Sequence, residues 1–252
     1  MIQIQPKFFE RDKWLELARK EALRYEILEF SSIYTDGLVP TENIEYYKSI
    51  DIVDSIHGAF MDNYPISINF EVQAVSRRQC EESMKQAQIV GASNVIFHST
   101  ALAFVRGGLE TFWGRDAADY YSYLADKYDK RIFIENFNDV DPVPMRIMMD
   151  NVNDDRIGIC LDVAHANYSR VPLKGWLDEL GEHIGYLHLS DNTGDWDDHI
   201  ILGTGNTDLK QLHEWWEKQS REIPVTVEMK TLEDTRQSIE YLKANKLFGM
   251  SL

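Results

Sequence analysis

Residues 157–165 read IGICLDVAH: a short apolar run, an aspartate, then an apolar turn carrying a histidine three positions later. A run of that length bounded by polar residues suits a buried strand, which puts Asp162 at a strand's C-terminal end and His165 just beyond it. The same grammar recurs along the chain. Candidate strands are Ile2–Gln5, Tyr25–Phe30, Ile52–His57, Asn94–His98, Arg131–Phe137, Ile157–Asp162, Ile184–Leu189 and Pro224–Met229. Between them lie amphipathic stretches expected to be helical: Glu10–Leu23, Thr41–Ser49, Val75–Val90, Asp116–Tyr128, Val143–Asn151, Pro172–Gly181, Leu209–Gln219 and Thr231–Ala244. Thr41, Asp208 and Thr231 stand where N-caps are expected.

Eight strands alternating with eight helices in 252 residues have the size of a (β/α)8 barrel, the TIM-barrel α/β class. A doubly wound open sheet is the alternative, but no Gly-rich phosphate loop follows the first strand. No low-complexity or Gly/Ser/Pro-rich linker divides the sequence, so residues 1–252 are expected to form one barrel domain.

Composition narrows the function classes. Apolar residues make up 44% and charged residues 27%, an ordinary globular balance, and no apolar run is long enough to span a membrane. The first residues, MIQIQPKFFERDKW, lack the apolar core of a secretory signal, and with only Cys80 and Cys160 a disulfide framework is not expected. Both cysteines read as buried packing, and a cytoplasmic location is the expectation. Forty-two acids against 26 bases give a net charge of −16, and no Lys or Arg falls between Lys174 and Lys210. Phosphate neutralisation supplies most nucleic-acid affinity, so a nucleic-acid partner is disfavoured.

In a barrel of this kind the active site lies at the C-terminal strand ends. His57 ends the third strand, His98 the fourth; Glu135 lies near the end of the fifth and Glu228 near the end of the eighth. Asp162 and His165 follow the sixth strand, His188 lies on the seventh, and Asp197 and His199 stand in the loop after it. Imidazole with carboxylate is the ligand mix of Zn²⁺, Mn²⁺ or Co²⁺. Each residue also has a plainer reading. A single strand-end His is commonly just hydrogen-bonded, Asp162 and His165 suit an ordinary Asp–His pair, and Asp191–Asp198 is by default a solvated acidic loop. Glu135 in IFIENF and Glu228 in PVTVEM are harder to dismiss, because a lone carboxylate in an apolar strand is costly to bury. The remaining histidines, His183 and His213, are read as sitting on predicted helices and need no special role.

GICLDVAHA, LHLSDN, DDHIILGTG and VTVEMK together resemble the xylose-isomerase-like barrel superfamily, which includes sugar and sugar-phosphate isomerases and epimerases and also endonuclease IV. The epimerase resemblance implies one ion, Mn²⁺-like, on Glu135, Asp162, His188 and Glu228. It makes the two glutamates acid and base on opposite faces of a carbon, and matches His165 to a substrate-contacting histidine. Asn136 and Trp113 are candidates for the pocket wall, Trp113 equally for packing. Lys230 is a candidate phosphate contact or an intramolecular ion pair. The endonuclease IV resemblance implies two or three zinc ions on His57, His98, Glu135, Asp162, His165, His188, Asp197, His199 and Glu228, suited to phosphoester hydrolysis.

The loop HLSDNTGDWDDH argues against the nuclease, since its four aspartates would repel a DNA backbone. The leading expectation is therefore a divalent-metal isomerase or epimerase of a small carbohydrate. The alternatives are a zinc phosphoester hydrolase and a catalytically lapsed sugar-binding barrel. Trp215–Trp216 is a weak hint of a homo-oligomer interface.

Overall fold

Successive residues of a strand point to opposite faces, so each strand sorts its side chains between the barrel's lumen and its helical coat. A computed structural model, describing residues 1–31, 39–101 and 107–251, has eight parallel strands closed into a barrel in sequence order. They are β1 (Ile2–Ile4), β2 (Arg24–Ile27), β3 (Val53–His57), β4 (Asn94–His98), β5 (Arg131–Glu135), β6 (Ile157–Asp162), β7 (Ile184–Leu189) and β8 (Val225–Val227). Closure comes from β1, which pairs Gln3 with Arg24 of β2 and Ile2 with Val225 of β8. The expected (β/α)8 barrel is the fold observed.

The helices are α1 (Arg11–Lys20), α2 (Thr41–Ser49), α3 (Phe70–Val90), α4 (Leu109–Tyr128), α5 (Val143–Asn151), α6 (Val163–Tyr168), α7 (Leu173–Leu180), α8 (Leu209–Trp216) and α9 (Leu232–Asn245). Strand residues Ile4, Ile27, Ile56, Val95, Ile134, Leu161, Leu187 and Val227 join Trp14, Met84, Leu124, Trp176 and Leu242 of the helices in one core. Gly114 lets α4 approach α5, since a Cβ there would meet Ile147 at 2.8 Å and the Met148 backbone at 3.0 Å. A second, smaller cluster of Ile96, Phe133, Cys160 and Tyr186 stands apart. Its members lie two residues before His98, Glu135, Asp162 and His188, on the same strand face. They floor the layer above them. Both cysteines are free and buried.

Several boundaries differ from the sequence reading, each for a local reason. Strand β2 stops at Ile27 rather than Phe30, because the Glu29 carboxylate accepts hydrogen bonds from the Phe8 amide at 2.8 Å and the Tyr47 hydroxyl at 2.9 Å. Strand β5 stops at Glu135 rather than Phe137. There the Asn136 side chain takes over the ladder, accepting from the Asp162 amide at 2.8 Å and donating to the Asp162 carbonyl at 3.0 Å.

Helix α3 starts at Phe70 rather than Val75, since Asn69 caps the amides of Glu71 and Val72. Helix α4 starts at Leu109 rather than Asp116, directly after Gly107 and Gly108 at positive φ. Asp208 and Thr231 cap as expected, but Thr41 lies inside α2, whose cap position is Pro40. Helix α6 was not expected, and His183 lies in a turn rather than a helix. Trp215 and Trp216 are half-buried against the core, which removes them as an exposed patch.

Candidate metal centre

Strands β3, β4, β5 and β6 end on His57, His98, Glu135 and Asp162, while His188 is the penultimate residue of β7 and Glu228 directly follows β8, so six candidates meet at the same end of the barrel. Glu135 is the hub. Its Oε2 lies 3.3 Å from His57 Nε2, 3.5 Å from His98 Nε2 and 3.3 Å from His188 Nδ1, and its Oε1 lies 3.3 Å from His165 Nδ1. Farther out, His165 Nε2 is 3.3 Å from Asp197 Oδ2, and His199 Nε2 is 3.2 Å from Asp197 Oδ1. Glu228 Oε1 approaches His188 Nδ1 at 3.5 Å.

Three groups in this constellation have their ligand atoms within 4.8 Å of one another: His57–His98–Glu135, Glu135–Asp162–His188–Glu228 and His165–Asp197–His199. All nine strand-end candidates fall into them, with Glu135 shared. A fourth combination adds the Cys160 thiol to Glu135 and His188; burial pushes that thiol well above its usual range.

These side chains crowd together without satisfying one another. His98 Nδ1, Glu135 Oε2, Asp162 Oδ2, His165 Nε2, His188 Nδ1 and Asp197 Oδ1 are all buried without a hydrogen bond among the described residues. Buried polar atoms left unpaired are costly, and groups of them at functional sites call for an explanation. A divalent cation supplies one: the donors are the imidazole and carboxylate groups that zinc, manganese and cobalt accept, and the residues fit such an ion.

The electrostatics agree. Burial alone would raise Glu135, but His188, His98 and His165 outweigh it and hold its carboxyl well below the ordinary range. Burial, with the Glu135 and Glu228 charges nearby, raises Asp162 to about 7 despite His165. Burial drops His98 to about 3, whereas Asp197 and Glu228 overcome burial to lift His199 to about 9.

Local chemistry sets the ligands in place. Asp162 caps α6, accepting from the His165 amide at 2.7 Å, so one residue ends β6, starts the helix and orients His165. The His165 ring is held by the Asn136 carbonyl, 2.7 Å from Nδ1. Asp197 and His199 ride on a loop organised by Asp191. Contrary to a fully solvated acidic loop, Asp191 is buried, because its carboxylate accepts the amides of Asn192, Gly203, Gly205 and Thr207 at 2.9–3.0 Å. Gly205 is required there, since a Cβ would collide with the Asn192 carbonyl and the Asp191 carboxylate. His199 itself holds a left-handed φ of 48°, a conformation stored at functional positions more often than elsewhere.

Above the ligands opens a cavity of about 530 Å³ lined by Gln5, Lys7, Phe9, Leu28, Phe60, Met61, Phe137, Met229 and Lys230 as well as His57, His98, Glu135, His165, Asp197, His199 and Glu228. Lys230 is exposed and donates to the Asp198 carbonyl at 2.6 Å. Asn136 and Trp113 lie outside the lining. Asn136 spends its amide on the Asp162 backbone, and Trp113 is buried on α4 with Nε1 3.3 Å from Thr100 Oγ1.

The sequence reading did not single out Gln5, Lys7, Glu26 or Asp191. Burial lowers Lys7 from its usual value against the pull of Glu29 and Glu228. Glu26 was findable, because a carboxylate in YEILEF is the same signal that flagged Glu135 and Glu228. Among the described residues no helix is long and apolar enough to cross a membrane.

Known proteins share this architecture. The TTHB071 protein from Thermus thermophilus, soaked with ZnCl2, superposes with a TM-score of 0.79 at 20% identity over 96% of each chain. A D-tagatose 3-epimerase-like protein gives the same TM-score, identity and coverage. By sequence, the uncharacterized protein MJ1311 of Methanocaldococcus jannaschii is 21% identical over 80% of this chain and 74% of its own. At such identities the likeness to the solved structures establishes the fold alone. The xylose isomerase-like TIM barrel pattern matches residues 44–245, and the chain belongs to that family.

Proposed function

We propose that the chain is a divalent-metal-dependent isomerase or epimerase of a small sugar or sugar phosphate. The observation that carries this reading is the buried quartet Glu135, Asp162, His188 and Glu228 beneath a cavity of about 530 Å³. That volume lies within the range of small-molecule sites. An ion held there supplies Lewis-acid polarisation of a substrate oxygen, which acidifies the neighbouring C–H. Glu135 and Glu228 reach the cavity from β5 and the end of β8, well-separated staves of the barrel, so one takes a proton from a carbon and the other returns it. His165 lines the cavity between them and contacts the substrate. Phe60 and Phe137, half-buried against the His98 ring, wall the cavity and limit water around the reacting carbon. The acidic chain, with Lys7 and Lys230 the only lysines in the lining among the described residues, suits a small carbohydrate better than nucleic acid.

One observation favours a second reading, a multi-zinc phosphoester hydrolase. The two further groups, His57–His98–Glu135 and His165–Asp197–His199, bring in His57, His98, Asp197 and His199, which have no task in a one-ion isomerase. The test is a panel of ketoses and their phosphates, incubated with metal-loaded protein in D2O. Deuterium entering the carbon beside a carbonyl supports the isomerase. No exchange across the panel, with metal-dependent cleavage of a small phosphodiester, contradicts it in favour of the hydrolase.

A further inference from the structure

One carboxylate below the ligand layer belongs to none of the three groups. Glu26 on β2 is fully buried. Its Oε2 accepts hydrogen bonds from Thr226 Oγ1 at 2.7 Å, the Tyr186 hydroxyl at 2.9 Å and His188 Nε2 at 3.0 Å. Its Oε1 accepts from Gln5 Nε2 at 3.1 Å, and that same nitrogen donates its other proton to Glu228 Oε1. Glu26 therefore reaches two of the four side chains of the central quartet, His188 directly and Glu228 through one amide.

The consequence for His188 is specific. A neutral imidazole carries its proton on one nitrogen and a lone pair on the other, and the hydrogen bond to one fixes which. With Nε2–H given to Glu26, the lone pair belongs to Nδ1. That atom is buried, has no hydrogen-bond partner among the described residues and sits between Glu135 at 3.3 Å and Glu228 at 3.5 Å.

We propose that Glu26 is a positioning residue for the metal centre: it holds His188 as the Nε2–H tautomer with Nδ1 presented to the ion, and through Gln5 it fixes the rotamer of Glu228. This rests on the metal reading above. Carboxylate partners of ligating histidines raise ligand basicity and fix ring orientation, and their loss weakens metal binding by about 10–100-fold.

The test is a chelator-competition titration of Zn²⁺ on the full chain, with far-UV circular dichroism to establish folding. Glu26→Gln is expected to weaken the tightest ion by about 10–100-fold. Tyr186→Phe removes a different hydrogen bond to the same carboxylate and spares the His188 contact, so it leaves that affinity unchanged. Equal losses in both variants, or a folded Glu26→Gln with wild-type affinity, overturn the proposal.

A second measurement needs no variant. A long-range ¹⁵N–¹H spectrum of the zinc-loaded wild type is expected to give His188 metal-bound at Nδ1 and protonated at Nε2. Binding through Nε2 overturns the assignment even if Glu26→Gln fails to fold. A wild type that takes up no zinc instead removes the metal reading itself, which separates the two failures.

Discussion

The barrel carries a cavity at each end, and the two differ in how their polar groups are satisfied. At the N-terminal end of β6 a cavity of about 720 Å³ is lined by Met149, Asn153, Asp154, Asp155, Arg156 and His183. There Arg156 donates to Asp154 at 2.6 Å and to the Ala125 carbonyl at 3.2 Å, and Asp129 lies 3.5 Å away. Among the described residues, none of that lining's side chains is buried without a partner. The smaller cavity at the C-terminal end covers six buried polar atoms that have close neighbours but no hydrogen bonds. Size does not mark the site; unfinished coordination does.

The largest effect expected from breaking this contrast follows from Glu228→Gln. Loss of a positioned acid–base group costs about 10²–10⁴-fold in turnover, while circular dichroism should record an unchanged fold. A variant as active as the wild type would remove Glu228 from the chemistry.

Next, His57→Ala with His98→Ala dismantles the outer group but leaves the quartet's four side chains intact. A one-ion isomerase keeps its turnover and its single ion, whereas a multi-ion hydrolase loses both activity and at least one ion per chain by elemental analysis.

The third contrast is with pH. Without an ion, His199 is lifted to about 9 and Asp162 to about 7, so both bind protons more tightly folded than unfolded. Stability from such groups is complete below their unfolded values and is lost as pH rises through the folded ones. The His199 part fades between about 6.5 and 9. Metal binding has the opposite sign, because it needs the deprotonated ligands. The gap in melting temperature between zinc-loaded and chelator-treated protein should therefore widen from pH 6 to about 9. A gap that shrinks over that interval contradicts the ligand assignment.

The smallest effect is expected at the other end. Arg156→Ala should leave metal content unchanged and move the melting temperature by at most about 2–4 °C.

What the sequence disclosed follows the same divide. Strands β4, β6 and β7 were legible to the residue because each is a short, mostly apolar run bounded by polar residues. The ligands were legible because they are the imidazole and carboxylate groups at or just beyond the strands' C-terminal ends. Where side chains replace backbone, legibility stopped. Asn136 imitates a strand's ladder, Asp162 serves as both strand end and helix cap, and Asp191 gathers four amides from residues up to sixteen positions away. Such roles depend on partners distant in sequence, which composition and periodicity do not register. Glu26 was missed for another reason. It stands second in the strand expected at Tyr25–Phe30, far from that strand's expected end, whereas β2 closes one residue after it at Ile27.

The most direct test of the account is the divalent metal content of the full chain, purified without chelator and dialysed. At least one zinc, manganese or cobalt ion per chain is predicted: a single ion points to the quartet and the isomerase, two or three to the outer groups and the hydrolase. Protein that retains no ion, and whose melting temperature does not respond to added Zn²⁺, Mn²⁺ or Co²⁺, would contradict the assignment of the strand-end cluster as a metal centre.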